Sequence, residues 1–538
     1  MNDIKRLKDP IYGYIEIPRD IMNLIVDSAE FQRLRNIIQT SYAPLYSSAV
    51  HNRFVHSLGV YHLGELVAIT IKERTSGEIP VENLDRILEI FKLACLLHDL
   101  GHSPFSHTGE NYYLNKGRRD KLHREIVCLT ADDKLEEEIN SKNYNAAPHE
   151  LMSVIVALKK FECLFQNNQE KSLFARCILG YPYTESDDLK HSFLNCVISF
   201  LNSSVIDVDK LDYLIRDAYL TGFDTVSIDY ERLLKSVNII KYNNKYSVVY
   251  AKSAISVIEN VVYAHDAERK WIQNHPVVQY EAYLLQTAID VLKEKYPNNN
   301  LFSYESLTID GVELTKDYKV SLLSDADIIF LMKNLTHTSI DEYFQRSLRR
   351  HPLWKSEPEF KVFLSNSYSD EMLDKVDSAL DELSKQLNFV CKSQVIDQKA
   401  LDALTRDIEV TKQAAAHGLS DKNKMELLIK GKEKTLKWVE IFKEFAENQG
   451  IEFDFVIIRA SQFNSGFSKD AFGNILIRFD SVKEPKKFKE VTNVLKADKS
   501  SREKFFYLYY RKQNENKDVD IKVLARLMAQ AAIGEVYD

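Results

Sequence analysis

The stretch Leu93-Ala-Cys-Leu-Leu-His-Asp-Leu-Gly-His-Ser-Pro-Phe-Ser-His107 sets the tightest limit on how this chain can fold. An apolar helical run delivers adjacent His98 and Asp99, then His102, and the breakers Gly101 and Pro104 bend the backbone before His107 and Glu110 follow. The apolar residues drive the segment inward, and the imidazoles and carboxylate carried with them cost stability unless they are paired or bind something. A buried His-Asp couple has two readings: a hydrogen-bonded core pair, or half of a metal site of mixed nitrogen and oxygen character. In the second reading the other ligands come from elsewhere, and His51-Asn-Arg-Phe-Val-His56 and Asp207-Val-Asp-Lys-Leu-Asp-Tyr213 have suitable side chains.

At 538 residues the chain exceeds what one core usually supports, so two or three domains are expected. With 45% hydrophobic residues and only 16 Gly and 12 Pro, breaks are few and a mainly α fold is expected. A net charge of -8 argues against a surface that coats nucleic acid, while leaving room for a local basic pocket that takes a phosphorylated small molecule. Cysteines 95, 128, 163, 177, 196 and 391 are scattered without a paired motif, which points to a reducing compartment. The N-terminus has no apolar leader and no apolar run reads as long enough to cross a bilayer, so a cytoplasmic chain without membrane partners is expected.

Along the chain, residues 5 to 19 read as a turn and a short alternating strand or hairpin, and Asn23 to Gln39 as a helix ended by Gln39-Thr-Ser-Tyr-Ala-Pro44. Arg53 to Thr70 reads as a helix that puts Arg53 and His56 on one face, an arrangement that suits phosphate beside metal but equally a surface Arg and a capped His. Residues 111 to 147 are polar and charged and read as an exposed, mobile insertion. His149 opens a helix after Pro148, either as a proton-transfer group or as a capping bystander. Lys210, Tyr213 and Asp217 share a helix face flanked by Asp209, and the competing reading is a solvated face with Asp212-Arg216 pairing.

Taken in order, His51-Asn-Arg-Phe-Val-His-Ser-Leu-Gly-Val60, His98-Asp-Leu-Gly-His-Ser-Pro-Phe-Ser-His107, His149-Glu150 and Asp207-Val-Asp-Lys-Leu-Asp-Tyr213 resemble the HD-domain deoxynucleoside triphosphate triphosphohydrolases. The match is closest to the branch typified by the SAM-and-HD-domain dNTPase, with bacterial dGTPases as cousins. It extends to Asp9-Pro-Ile-Tyr-Gly-Tyr-Ile-Glu16 and Glu30-Phe-Gln-Arg-Leu-Arg35, and runs to about residue 300 with an interruption after Glu110. The resemblance implies an HD-domain helical core with a small C-terminal α+β lobe. It implies that His56, His98, Asp99 and Asp209 hold a divalent metal ion, which could be Mn, Mg, Fe, Ni or Zn. It further implies that His107 is the catalytic acid, with His149 beside it and Glu110 where the family usually has Asp. Arg53, Lys210 and Tyr213 match triphosphate-contacting positions, and Gln39 and Asp217 match sugar-side positions. Glu268-Arg-Lys-Trp-Ile-Gln-Asn-His-Pro276 stands where the family has a Tyr-Gln-His-Lys helix, so Arg269 and His275 are candidates for base and phosphate contacts. Asp27, Gln32 and Arg35 match positions that read an activating guanine nucleotide at a subunit interface; the alternative is a turn residue and a salt-bridge partner. The implied partners are a dNTP substrate, a GTP or dNTP activator and further copies of the chain in a dimer, tetramer or hexamer.

The expected division is a catalytic domain with a distal helical lobe over 1–355, a charged helical segment over 356–448 and a small α+β lobe over 449–538. In the last, residues 452–459 and 474–479 read as strands around a Gly-containing connection, and Glu503 to Arg511 as a helix or strand. Besides dNTP hydrolysis to deoxynucleoside and triphosphate, two functions fit: an HD phosphodiesterase or (p)ppGpp-type hydrolase on the same metal site, and a nucleotide-sensing scaffold without turnover. Lys210 and Tyr213 beside Asp209 favour a terminal triphosphate, and the intact ligand set and His107 argue against a scaffold.

Overall fold

The computed structural model describes residues 3–40, 45–74, 79–114, 118–142, 144–184, 188–223, 226–297, 300–365, 370–416, 422–460, 469–495, 505–512 and 519–533. The fold is mainly α, and the chain forms two compact units, each assembled from separated segments. The first comprises Met1–Ile272, Leu285–Ile340 and Asn464–Asp498; the second comprises Gln273–Leu284, Asp341–Phe463 and Lys499–Asp538.

In the first unit, Ile4–Asp9 and Gly13–Pro18 form an antiparallel hairpin, with Gly13 supplying the positive φ of the turn. The Arg53–Arg74 helix runs through the core, and Gly64 lets it approach the Leu84–Leu97 helix so closely that a Cβ there would lie 2.7 Å from Cys95 Sγ. Leu84–Leu97 starts at the Asn83 cap and ends at His98, so the apolar run is helix and the His-Asp couple sits on the turn that leaves it. The Pro148–Lys160 helix is buried along most of its length and packs against that turn. Val208–Thr221 starts at Asp207, whose carboxylate accepts from the Lys210 backbone N–H at 2.8 Å. A four-stranded sheet in the order Lys486–Lys487, Leu476–Arg478, Lys245–Ala251, Val237–Tyr242 completes the unit, with Leu476 opposite Val249 in its one parallel pairing.

The second unit has its own core. Its sheet is antiparallel, in the order His351–Pro352, Phe506–Tyr510, Asp454–Arg459, Val395–Asp397. The helices Asp370–Cys391, Gln398–Ala416, Lys422–Gln449 and Ile521–Ile533 contribute Leu373, Val376, Leu380, Leu383, Leu404, Trp438, Phe442 and Met528 to the same apolar cluster as Val456 and Leu508.

The observed elements differ from the sequence reading in four places. Asn23 to Gln39 is not one helix: a π-helical turn Met22–Val26, the helix Ala29–Arg33 and a 3-10 turn Leu34–Asn36 replace it. Ser28 breaks the run because its hydroxyl caps the Phe31 N–H, while Ile25, Phe31, Leu34 and Ile37 still turn inward. The turn expected at residues 41–44 lies outside the described residues. Residues 118–142 are not an exposed insertion but two helices, Arg118–Thr130 and Asp133–Lys142, whose Leu122, Ile126 and Leu135 are buried and whose Glu138 pairs with the fully buried Arg176 at 2.6 Å. The strands near 454 and 476 belong to different sheets, so 449–538 is shared between the two units rather than forming one lobe; the connection at 461–468 lies outside the described residues. The aromatic run takes the second of its two readings, a strand, Phe506–Tyr510, and Glu503 lies outside the described residues. Finally, Arg53–Arg74 is long and apolar enough to cross a bilayer, contrary to the sequence reading, but 72% of its most apolar window is buried in the fold.

Candidate active site

Three backbone segments bring four ligand-type side chains together. His98 Nδ1 lies 2.9 Å from the Cys95 carbonyl, which can only accept, so Nδ1 carries the proton and Nε2 is left with its lone pair. His56 Nδ1 lies 2.7 Å from Asp212 Oδ2 and in the same way leaves Nε2 open. That His56 Nε2 is 3.0 Å from Asp209 Oδ1, 3.3 Å from His98 Nε2 and 3.7 Å from Asp99 Oδ2. His98 Nε2 is 3.4 Å from Asp99 Oδ1 and 3.6 Å from Asp209 Oδ1. Two imidazoles and two carboxylates converging at these distances repel one another unless a cation neutralises them. Without a metal ion, burial opposes a charge on His56, but the hydrogen bonds of Asp209 and Asp212 outweigh it and raise its pKa to about 10, so a proton takes that place. The donor set fits a divalent first-row ion in the proton's stead. Of the four predicted ligands, the buried His56, His98 and Asp99 thus form one group that could hold a metal ion, and Asp209 meets its two imidazoles.

Arg53 braces the quartet. Its guanidinium donates to Asp99 Oδ2 at 2.9 Å, to Ser106 Oγ at 3.0 Å and to the Gln39 carbonyl at 3.2 Å. Burial works against ionisation of Asp99, but Arg53, and after it His98 and His56, hold its carboxyl well below the usual range.

A second cluster adjoins the first. Glu110 Oε1 lies 3.1 Å from His107 Nδ1 and its Oε2 lies 2.7 Å from His149 Nδ1, so one carboxylate orients two imidazoles. Burial disfavours the His149 imidazolium, yet Glu110 outweighs it and carries its pKa up to about 9. The fully buried His102 stacks on His149 with ring centroids 4.1 Å apart and meets His107 edge-on at 5.1 Å. Its Nε2 is 3.5 Å from Asp99 Oδ1, which joins the two clusters, and both its ring nitrogens lack a hydrogen-bond partner. Burial, reinforced by Arg53 and His149, pushes His102 well below the ordinary imidazole value, so it stays neutral.

The loop carrying these groups is held from outside. Phe105 and Ser106 have φ of 57° and 52°, a conformation that costs about 1–3 kcal/mol each and persists only when the surroundings impose it. Asp325 imposes it by accepting from Phe105 N at 2.7 Å and Ile38 N at 2.8 Å, and Arg33 donates to the carbonyls of Leu100, His102 and Leu323, each at 2.9 Å. Gly101 is obligatory, because a Cβ there would sit 2.2 Å from Ser153 N.

Some of the remaining predicted residues have other partners. Lys210 is buried against Asp207, with Nζ 2.6 Å from Oδ2, and Asp217 pairs with His51 at 2.7 Å. The Tyr213 hydroxyl, Gln39 Oε1 and His51 Nδ1 are buried without a hydrogen-bond partner. Arg269 is half-buried in the π-helical turn Arg269–Gln273, and His275 accepts from Val277 N at 3.2 Å. Asp27 is exposed, while Arg35 donates to Gln32 Oε1 at 2.8 Å and lies over the Phe54 ring. Sequence reasoning gave no site role to His102, His51, Asp325 or Arg33, and gave Asp212 only a pairing with Arg216, which is present but buried. Asp212 at three residues from Asp209, and His51 at the head of the His-Asn-Arg-Phe-Val-His run, carried a signal in their spacing; Asp325 and Arg33 carried none.

Residues 53–172 match the HD domain family. An uncharacterised protein of Mycoplasma genitalium is 30% identical over 257 residues, 47% of this chain and 52% of that protein. The deoxynucleoside triphosphate triphosphohydrolase SAMHD1 of Danio rerio is 28% identical over 279 residues, 51% of this chain and 43% of that protein. The matched stretch therefore spans about half the length of these relatives. Among solved structures, a hypothetical protein from Aquifex aeolicus is 21% identical with a TM-score of 0.52, covering 98% of this chain and 100% of its own, a likeness of fold.

Proposed function

We propose that this chain, which carries an HD domain of the metal-dependent phosphohydrolase superfamily, hydrolyses deoxynucleoside triphosphates to deoxynucleoside and inorganic triphosphate. The observation that carries the reading is the junction of two clusters: His56, His98 and Asp99 grouped closely enough to hold a metal ion with Asp209 against both imidazoles, and beside them Glu110 bonded to both His107 and His149. His56, His98, Asp99 and Asp209 would hold the divalent ion, which when bound polarises the α-phosphate and lowers the pKa of a water. As water attacks the α-phosphorus and the bond to the sugar 5′-oxygen breaks, His107 donates its proton to that oxygen while Glu110 keeps the ring aligned from Nδ1. His107 is the more exposed of the two rings on Glu110, and His149 keeps the carboxylate charged and in place. Arg53 and Lys210 offset charge on the phosphoryl oxygens, Lys210 by exchanging Asp207 for phosphate. Gln39, Tyr213, Asp217 and Arg269 would face the nucleoside; the buried Gln39 Oε1 and Tyr213 hydroxyl, which lack a hydrogen-bond partner, support this as an acceptor and a donor available to it. The match to a relative named as a deoxynucleoside triphosphate triphosphohydrolase, across the segment that supplies these residues, supports the substrate. Asp27, Gln32 and Arg35 would take an activating guanine nucleotide in an oligomer.

The test incubates the full chain with each dNTP and each NTP, with Mn²⁺ or Mg²⁺, with and without GTP, and separates the products by ion exchange. Inorganic triphosphate with free deoxynucleoside is the expected result. Pyrophosphate, monophosphate or no product would overturn the reading, and an unchanged rate with GTP would remove the activator.

A further inference from the structure

We infer that Asp212 is the positioning residue for the metal ligand His56, and that the N-terminal hairpin, through Tyr12 and Asp9, is part of the device that holds it. The inference rests on the proposal that His56 binds the ion, and adds to it three residues from two distant parts of the chain. A histidine can ligate through Nε2 only if the proton resides on Nδ1 and the ring is kept from turning. His56 is fully buried, and among the described residues the one group within hydrogen-bond reach of its Nδ1 is Asp212 Oδ2, at 2.7 Å, also fully buried. A carboxylate accepts and cannot donate, so it fixes the tautomer as well as the orientation.

Asp212 is itself held at both oxygens. The Tyr12 hydroxyl donates to Oδ1 at 2.7 Å, and Arg216 donates to Oδ1 at 3.0 Å and to Oδ2 at 2.9 Å. The Tyr12 phenol is buried and beside a carboxylate, both of which keep it protonated and therefore a donor. Arg216 is anchored in turn by Asp9 Oδ2 at 3.0 Å, while Asp9 Oδ1 accepts from the backbone of Ile11 and Tyr12 at 2.8 and 3.0 Å. The turn between Ile4–Asp9 and Gly13–Pro18 is thereby tied to the helix Val208–Thr221. The third observation is steric. Gly59 stands one helical turn from His56, and a Cβ there would lie 1.9 Å from Asp212 Oδ1 and 2.5 Å from Arg216. The carboxylate therefore sits directly against the helix that carries its histidine, in space that no larger side chain would leave. An Asp-Arg pair at i,i+4 whose only task was surface pairing would need neither this burial nor this glycine.

The test measures Mn²⁺ affinity of the full chain, after removal of bound metal, by electron paramagnetic resonance of free Mn²⁺, for the parent, Asp212→Asn and Tyr12→Phe. Groups that orient a metal-bound histidine are worth about 10–100-fold in affinity, so Asp212→Asn is expected to bind Mn²⁺ at least ~10-fold more weakly, and Tyr12→Phe ~3-fold more weakly. Melting in chelator is recorded alongside; a purely structural role would lower the melting midpoint and leave the affinity of the folded fraction alone, which would overturn the inference. Should Asp212→Asn fail to fold, Tyr12→Phe decides: weaker Mn²⁺ binding supports the inference, and parental affinity overturns it. If the parent binds Mn²⁺ but hydrolyses no nucleotide, the substrate reading fails while this one stands. If the parent binds no divalent ion, both fall.

Discussion

Replacing Arg53 by methionine, which keeps most of the side-chain volume but removes the charge and donors, tests whether Asp99 is a metal carboxylate held ready by a guanidinium. Both groups are buried, with Arg53 4% and Asp99 1% exposed, and they meet at 2.9 Å. Breaking a buried pair from one side leaves an uncompensated charge and costs about 3–5 kcal/mol. Two further hydrogen bonds, to Ser106 Oγ and the Gln39 carbonyl, are lost with it at about 0.5–1.5 kcal/mol each. At 2–4 °C per kcal/mol this amounts to a fall in melting midpoint on the order of 10 °C in chelator. A bound cation supplies the positive charge that the variant lacks, so excess Mn²⁺ should recover much of the loss, and the Mn²⁺-induced rise should exceed the parent's. Scanning fluorimetry of parent and variant, each with chelator and with Mn²⁺, gives the four midpoints required. A variant that melts with the parent in chelator would show that Asp99 does not depend on Arg53. A loss that Mn²⁺ fails to reduce would show that no cation reaches Asp99.

Four other outcomes are expected. Asp99→Ala should bind no Mn²⁺ in the same titration and release no triphosphate. His107→Ala should keep parental Mn²⁺ affinity while turnover falls by about 10²–10⁴-fold, and an active variant would remove His107 as the acid. Gly101→Ala should lower stability by about 1–3 kcal/mol or more in a denaturant titration, because its methyl meets backbone at 2.2 Å and not a side chain that can swing aside. The Glu110-His149 pair should give a defined pH window. Glu110 is held below its ordinary value, burial opposing and His107 and His149 outweighing it, so its share is present above about pH 4.3. His149 is raised to about 9, so its share is complete below its unfolded value near 6.5 and lost as pH rises through about 9. Urea midpoints in chelator from pH 5.5 to 9.5 should fall across that interval, and Glu110→Gln should flatten the slope.

What could be read from the amino acids was what lies close in sequence or repeats with the period of a helix. The apolar run before His98, the stripe of Leu373, Val376, Leu380 and Leu383, and the strand-like texture near 454 all became the elements their spacing implied. The convergence of His56, His98, Asp99 and Asp209 was legible because each member sits in a short run of unusual side chains. Two kinds of information were not. Asp212 and Arg216 read as a solvated charged face because polar residues at helical spacing look alike whether they meet water or a buried histidine; only the fold puts His56 opposite them. Arg33 and Asp325 brace the His102–His107 loop across 69 and 220 residues of sequence, and no local pattern encodes such a span. The sequence also could not tell that the strands near 454 and 476, so close along the chain, would join different sheets.

That last feature governs the order in which the molecule can be made. The strand Lys245–Ala251 has Val237–Tyr242 on one side, and its other side is closed by Leu476–Arg478, more than two hundred positions later. While the intervening chain emerges from the ribosome, that flank exposes unsatisfied amides and carbonyls, the template on which a neighbouring nascent chain can add a strand. A fragment ending near residue 463 would retain every side chain proposed above as catalytic and still carry this open flank permanently, so its expression should yield aggregates unless Leu476–Lys487 is supplied as well.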